Sequence, residues 1–93
     1  MSLETLTTKY IASAEKVLKE LERSQEPITV TEESVTSILS YISDYLEDAK
    51  YYKAQGKLET SLTSIAYCEG LLDTLKLLGA VKFDWPLNQQ KKQ

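Results

Sequence analysis

Histidine is absent from the 93 residues and cysteine occurs once, at Cys68. Without an imidazole there is no Ser-His-Asp triad, no histidine general base and no Cys/His zinc arrangement. One cysteine excludes a disulfide within the chain and suits a reducing compartment, where a lone thiol behaves as a small apolar core residue. No apolar run approaches the roughly 20 residues of a membrane-spanning helix, and the opening of the chain lacks the basic-then-apolar order of a secretion signal. The expectation is a soluble cytoplasmic protein with no membrane contact. Basic stripes are missing too. Residues 26–56 carry six acids against two bases, residues 1–25 balance four with four, and the net charge is -3. Only residues 80–93 are basic, with three lysines against Asp84. A body of this sign is not built to neutralise phosphates, so nucleic acid is not an expected partner.

What is present is helical periodicity. A chain this short forms one domain and buries only about 60 to 65% of its surface on folding, so its stability is modest and oligomerisation would add to it. Three glycines and two prolines punctuate it. Leu3, Leu6, Tyr10, Ala14, Val17 and Leu21 recur at intervals of three and four, with Ile11 and Leu18 widening the face, which predicts a first helix over about 3–24 capped by Ser2. After Pro27, Thr29 with Glu32 has capping-box spacing and Thr31 is the alternative cap. Val35, Ile38, Leu39, Ile42, Leu46 and Ala49 then form a stripe that should be buried, in a helix over about 31–55 that ends at Lys53 and Gly56. A third helix runs over about 58–78 through Leu62, Ile65, Cys68, Leu72 and Leu75 to Gly79. Short connections between long amphipathic helices predict an all-α fold, an antiparallel up-down-up three-helix bundle over residues 1–79. Residues 80–93 form a C-terminal tail. Val81, Phe83 and Trp85 are expected to fold back onto the bundle, with "NQQKKQ" frayed; the alternative is that Phe83 and Trp85 insert into a partner.

Three features of the helices bear on function. Tyr41, Tyr45 and Tyr52 share a flank of the second helix with Asp48, either as edge tyrosines with wet hydroxyls or as an aromatic wall suited to a cationic group. Glu69 sits in the row of Leu58, Leu62 and Ile65, where the spacing calls for an apolar side chain, and Asp73 lies one turn further on. The edge of the core, with Lys76 pairing Asp73 and water reaching Glu69, would accommodate both. Gly70 falls with Thr63, Ala66 and Thr74 in a row of small residues. Glycine costs about 1 kcal/mol there relative to alanine, so the row implies either a close crossing by a helix or the tail, the approach of a ligand or second subunit, or simple exposure.

The stretch "YISDYLEDAKYYKAQGKLETSLTSIAYCEGLLDTLKLLG", residues 41–79, resembles small archaeal proteins grouped as domain of unknown function family 357. The matching positions are Asp48, Ala49, Tyr51 and Tyr52, then Gly56 at the turn, then Tyr67, Glu69, Gly70, Leu71, Leu72 and Asp73. Cys68 stands where the family more often has alanine, and residues 58–64 lack its usual alanines. The resemblance implies a helical bundle of the archaeal cytoplasm with no established activity. It also adds Tyr67 to the candidate partner- or ligand-facing residues, which are Asp48, Tyr52, Tyr67, Glu69, Gly70 and Asp73. No catalytic residue, metal ligand or cofactor is assigned. The expected function is a non-enzymatic module that binds a protein partner or forms a homo-oligomer through the small-residue row and its acidic rim. The alternative is a carboxylate site of Asp48, Glu69 and Asp73 for a divalent cation or an amine-bearing small molecule.

Overall fold

The computed structural model describes residues 2–86. Three helices follow one another, α1 (Leu3–Glu20), α2 (Glu32–Ala54) and α3 (Leu58–Leu77), and no strand occurs among the described residues. Ser2 caps α1, its hydroxyl accepting the Thr5 N–H at 3.0 Å. The helix ends at Glu20, short of the residue 24 that periodicity suggests, because Leu21 is already extended at φ -64 and ψ 152. Beyond it come Glu22, Arg23, Ser24 and Gln25, with no apolar side chain whose burial would offset the entropy of fixing another turn. Ser24 instead makes a local turn, accepting the Glu26 N–H at 3.2 Å.

Thr31, rather than the capping-box candidate Thr29, caps α2, its hydroxyl accepting the Ser34 N–H at 3.0 Å. Glu32 and Glu33 then place negative charge on the positive end of the helix dipole. Gly56 and Gly79 close α2 and α3 at φ +78 each. That left-handed turn lets Lys57 N–H reach the Tyr52 carbonyl and Ala80 N–H reach the Leu75 carbonyl, both at 2.9 Å. These are Schellman closures, satisfying carbonyls that a helix end otherwise leaves bare.

α2 and α3 pack together as an antiparallel hairpin. The Ser61 hydroxyl donates to the Ala49 carbonyl at 2.7 Å, and the Cys68 thiol lies 3.6 Å from the Ile42 carbonyl. As one residue number rises its partner's falls. Ile42, Ala49, Cys68 and Leu75 are the buried apolar residues, with Ile38, Ile65, Leu72 and Val81 packed around Ile42, Cys68 and Leu75. Leu39 and Leu46 of the expected buried stripe remain 39% and 37% exposed. The chain after Gly79 doubles back along α3 as far as residue 86, and the "NQQKKQ" stretch lies outside the described residues.

α1 stands off from this hairpin. No Cα of α1 comes within 8 Å of one in α2 or α3, none of its residues is buried, and Leu6 alone is half-buried. Tyr10, Val17 and Leu18 are 64%, 60% and 73% exposed. The radius of gyration is accordingly 16.0 Å, where a compact chain of this length has about 12 Å. None of the helices is long and apolar enough to cross a membrane, among the described residues.

Candidate functional site

The hairpin has two unlike sides, and helical geometry assigns each candidate residue to one of them. At 100° per residue, Tyr41, Tyr45, Tyr52 and Asp48 lie to one side of the Ile42–Ala49 line. Tyr67 meets that side from α3, its ring centroid 4.6 Å from that of Tyr45. Tyr52 is half-buried and packs edge-on to Tyr51 at 5.3 Å, while Tyr41 and Tyr67 stay open to solvent. The tyrosine flank is thus partly covered by the chain's own α3.

Glu69 and Asp73 belong to the other side. Asp48 therefore faces away from them, and no group of three acidic or thiol side chains able to hold a cation occurs among the described residues. The three-carboxylate site weighed from the sequence is not assembled. Nor does Lys76 pair with Asp73: its ammonium sits 4.9 Å from the Phe83 ring centroid and 4.0 Å from Asp84. Asp73 instead accepts the Trp85 indole N–H at 2.9 Å. Phe83 and Trp85 pack edge-to-face at 5.0 Å, so the tail lies over the C-terminal half of α3 on this side. The tail contact was not readable from Asp73 itself, since a lysine three residues on is the nearer partner in sequence.

Gly70 is exposed, and a Cβ built on it would meet nothing within 4 Å. Neither a helix nor the tail crosses there, which removes the intramolecular explanation for the small-residue row. The row's hydroxyls serve their own helix, Thr63 donating to the Glu59 carbonyl at 2.8 Å and Thr74 to the Gly70 carbonyl at 2.9 Å.

Cys68 lies 3% exposed, and burial, followed by the nearby Glu69 charge, pushes its thiol up from the ordinary value of 9.0. A thiol held protonated in a core is a packing group, since the thiolate is the nucleophile. No buried side-chain nitrogen or oxygen lacks a partner among the described residues. Unpaired chemistry-bearing groups are thus not stored in the core.

One opening among the described residues was not singled out by sequence reasoning. Between the N-terminal half of α1 and the start of α3 lies a cleft of about 760 Å³. Leu3, Leu6, Tyr10, Ile11 and Ala14 form its apolar wall, and Glu59, Thr60 and Thr63 its polar one. The signal was present as the amphipathic face of the first helix. What periodicity does not say is whether that face finds a partner within the chain.

Among known proteins, the family model described as Protein of unknown function (DUF357) matches residues 9–81, and the chain belongs to that family. No curated protein and no solved structure matches it.

Proposed function

We infer that this DUF357 protein is a non-enzymatic interaction module, working through the apolar face of α1. The observation that carries the reading is the exposure of that face, with Tyr10, Val17 and Leu18 each 60% exposed or more. An amphipathic helix normally turns such a face onto a core, and a contiguous apolar surface on a folded chain marks a place where another molecule docks. Support for the non-enzymatic part comes from the side chains. There is no histidine, the thiol is buried and held protonated, and the candidate carboxylates Asp48, Glu69 and Asp73 lie on two sides of the hairpin. The acidic body favours a protein partner over nucleic acid. The resemblance to archaeal proteins and the lone cysteine support reading the module as archaeal and cytoplasmic.

The test is the native mass of the tagged chain in a gentle lysate of its source cells. Wild type should run in a complex larger than its own 10.5 kDa, and Tyr10→Glu with Val17→Glu should return it to single-chain size while circular dichroism stays helical. A wild-type chain that runs alone would sink the reading.

A further inference from the structure

The side of the hairpin opposite the tyrosines carries a second unpartnered apolar surface. Leu39 and Leu46 lie about 60° from the Ile42–Ala49 line, and Leu58 and Leu62 about 90 to 130° from the Cys68–Leu75 line, in the same rotational sense. Because α2 and α3 are antiparallel, both displacements bring the leucines to one side of the hairpin. The Tyr45–Tyr67 contact, displaced in the opposite sense on both helices, marks the other side. Leu58 and Leu62 are 64% and 68% exposed. The tail covers only the far end of this side, where Phe83 lies against Lys76 and Trp85 against Asp73.

We propose that α1 of one copy packs onto the Leu39, Leu46, Leu58 and Leu62 strip of a second copy, with reciprocal exchange making a closed dimer. The proposal rests on the interaction reading above and names its occupant. Four observations select a second copy.

The first is self-complementarity, since the chain carries one apolar helix without a core and one strip of four leucines, interrupted by the Glu69 position, that is uncovered over most of its length. In α1, 18 residues give about 27 Å of helix, and the strip, from the level of Leu58 to that of Leu39, is about 20 Å long by the same rise.

The second is placement. The chain's own α1 stands over Glu59, Thr60 and Thr63, which point away from the strip and offer an apolar helix only polar neighbours.

The third is area. The chain exposes 8238 Å², whereas a compact monomer of 10.5 kDa exposes about 5,400 Å². Removing the eight residues outside the described range from both sides of the comparison, at their full extended-chain area, leaves an excess of about 1,800 Å². A standard interface takes about 800 Å² from each partner and obligate dimers take more.

The fourth is reach and charge. Residues 21–31, free of helix, extend to about 36 Å, which lets α1 leave its own hairpin. Residues 1–25 are charge-balanced, so docking them on an acidic hairpin adds no net repulsion. A two-fold exchange uses both surfaces twice and closes, leaving none to propagate a fibre.

Sedimentation equilibrium of the purified chain, from micromolar to millimolar, tests this together with amide hydrogen exchange. Wild type should weigh twice 10.5 kDa with α1 amides protected. Val17→Glu on α1 and Leu62→Glu on the strip, both at exposed positions that spare the hairpin core, should each weaken the dimer at least tenfold. Chains spin-labelled on α1, mixed with chains labelled on α3, should show proximity between copies. A dimer indifferent to both substitutions overturns the proposal. So does a monomer at every concentration, and exchange then separates the two levels of inference. Unprotected α1 amides in a monomer leave the interaction module standing with a different partner. Protected α1 amides in a monomer mean that the helix closes on its own hairpin, and both readings fall.

Discussion

Gly56 and Gly70 make opposite demands on the backbone, and the same substitution should move stability in opposite directions. Gly56 is at φ +78 with open space around its Cα, so Gly56→Ala meets no clash and its cost is purely conformational, about 1 kcal/mol. Gly70 sits inside α3 without a positive φ, again with nothing within 4 Å. Gly70→Ala should therefore stabilise by about 1 kcal/mol through helix propensity. Thermal melts should separate the pair by several degrees on either side of wild type. A destabilised Gly70→Ala would mean that some surface approaches the backbone there after all. The role of Gly56 was legible because Lys53, Gly56 and the end of periodicity coincide. That of Gly70 was not, because spacing defines a row of small residues but not what crosses it. Asp73 shows the same limit. Its local partner by spacing was Lys76, and its actual partner is an indole twelve residues away.

Among the elements, the tail and α1 are both segments whose fate depends on non-local contacts, and only the tail finds its contact within the chain. Val81 packs against the core, and the Trp85–Asp73 hydrogen bond fixes the far end. Trp85→Phe keeps an aromatic ring and removes the donor, and Asp73→Ala removes the acceptor. In urea titrations each should cost about 0.5 to 1 kcal/mol, and the double variant no more than about the same, giving a coupling near the value of one hydrogen bond. Strictly additive costs would show that the bond is not made in solution. The helices were legible because 3.6-residue periodicity is local, as was the cap at Ser2, whereas spacing left Thr29 and Thr31 as alternative caps of α2. The missing turn after Glu20 was less so, since polar residues 22–25 fit a helix as well as a loop until burial decides. Most of all, the position of α1 was hidden. Amphipathicity states that a helix needs an apolar surface, and two such surfaces, in this copy or another, satisfy the pattern equally.

For the whole molecule, the four buried apolar residues of the hairpin, of which Leu75 alone is fully buried, are the quantity that sets the scale. A core this small supplies only a few kcal/mol net of conformational entropy, so if exchange of α1 between copies covers the leucine strip, most of the stability belongs to the assembly. Folding is then coupled to association, and the melting temperature must depend on concentration. Each tenfold rise in chain concentration favours the associated state by about 1.4 kcal/mol per association event, which for a domain of this size raises the midpoint by several degrees. Wild type should show that rise over a hundredfold range. Val17→Glu should melt lower and at a constant temperature, because its α1 no longer links folding to a second chain. A wild-type midpoint that stays flat over the same range, matching the variant's, would place all the stability in the single chain and remove any energetic role for the exposed face of α1.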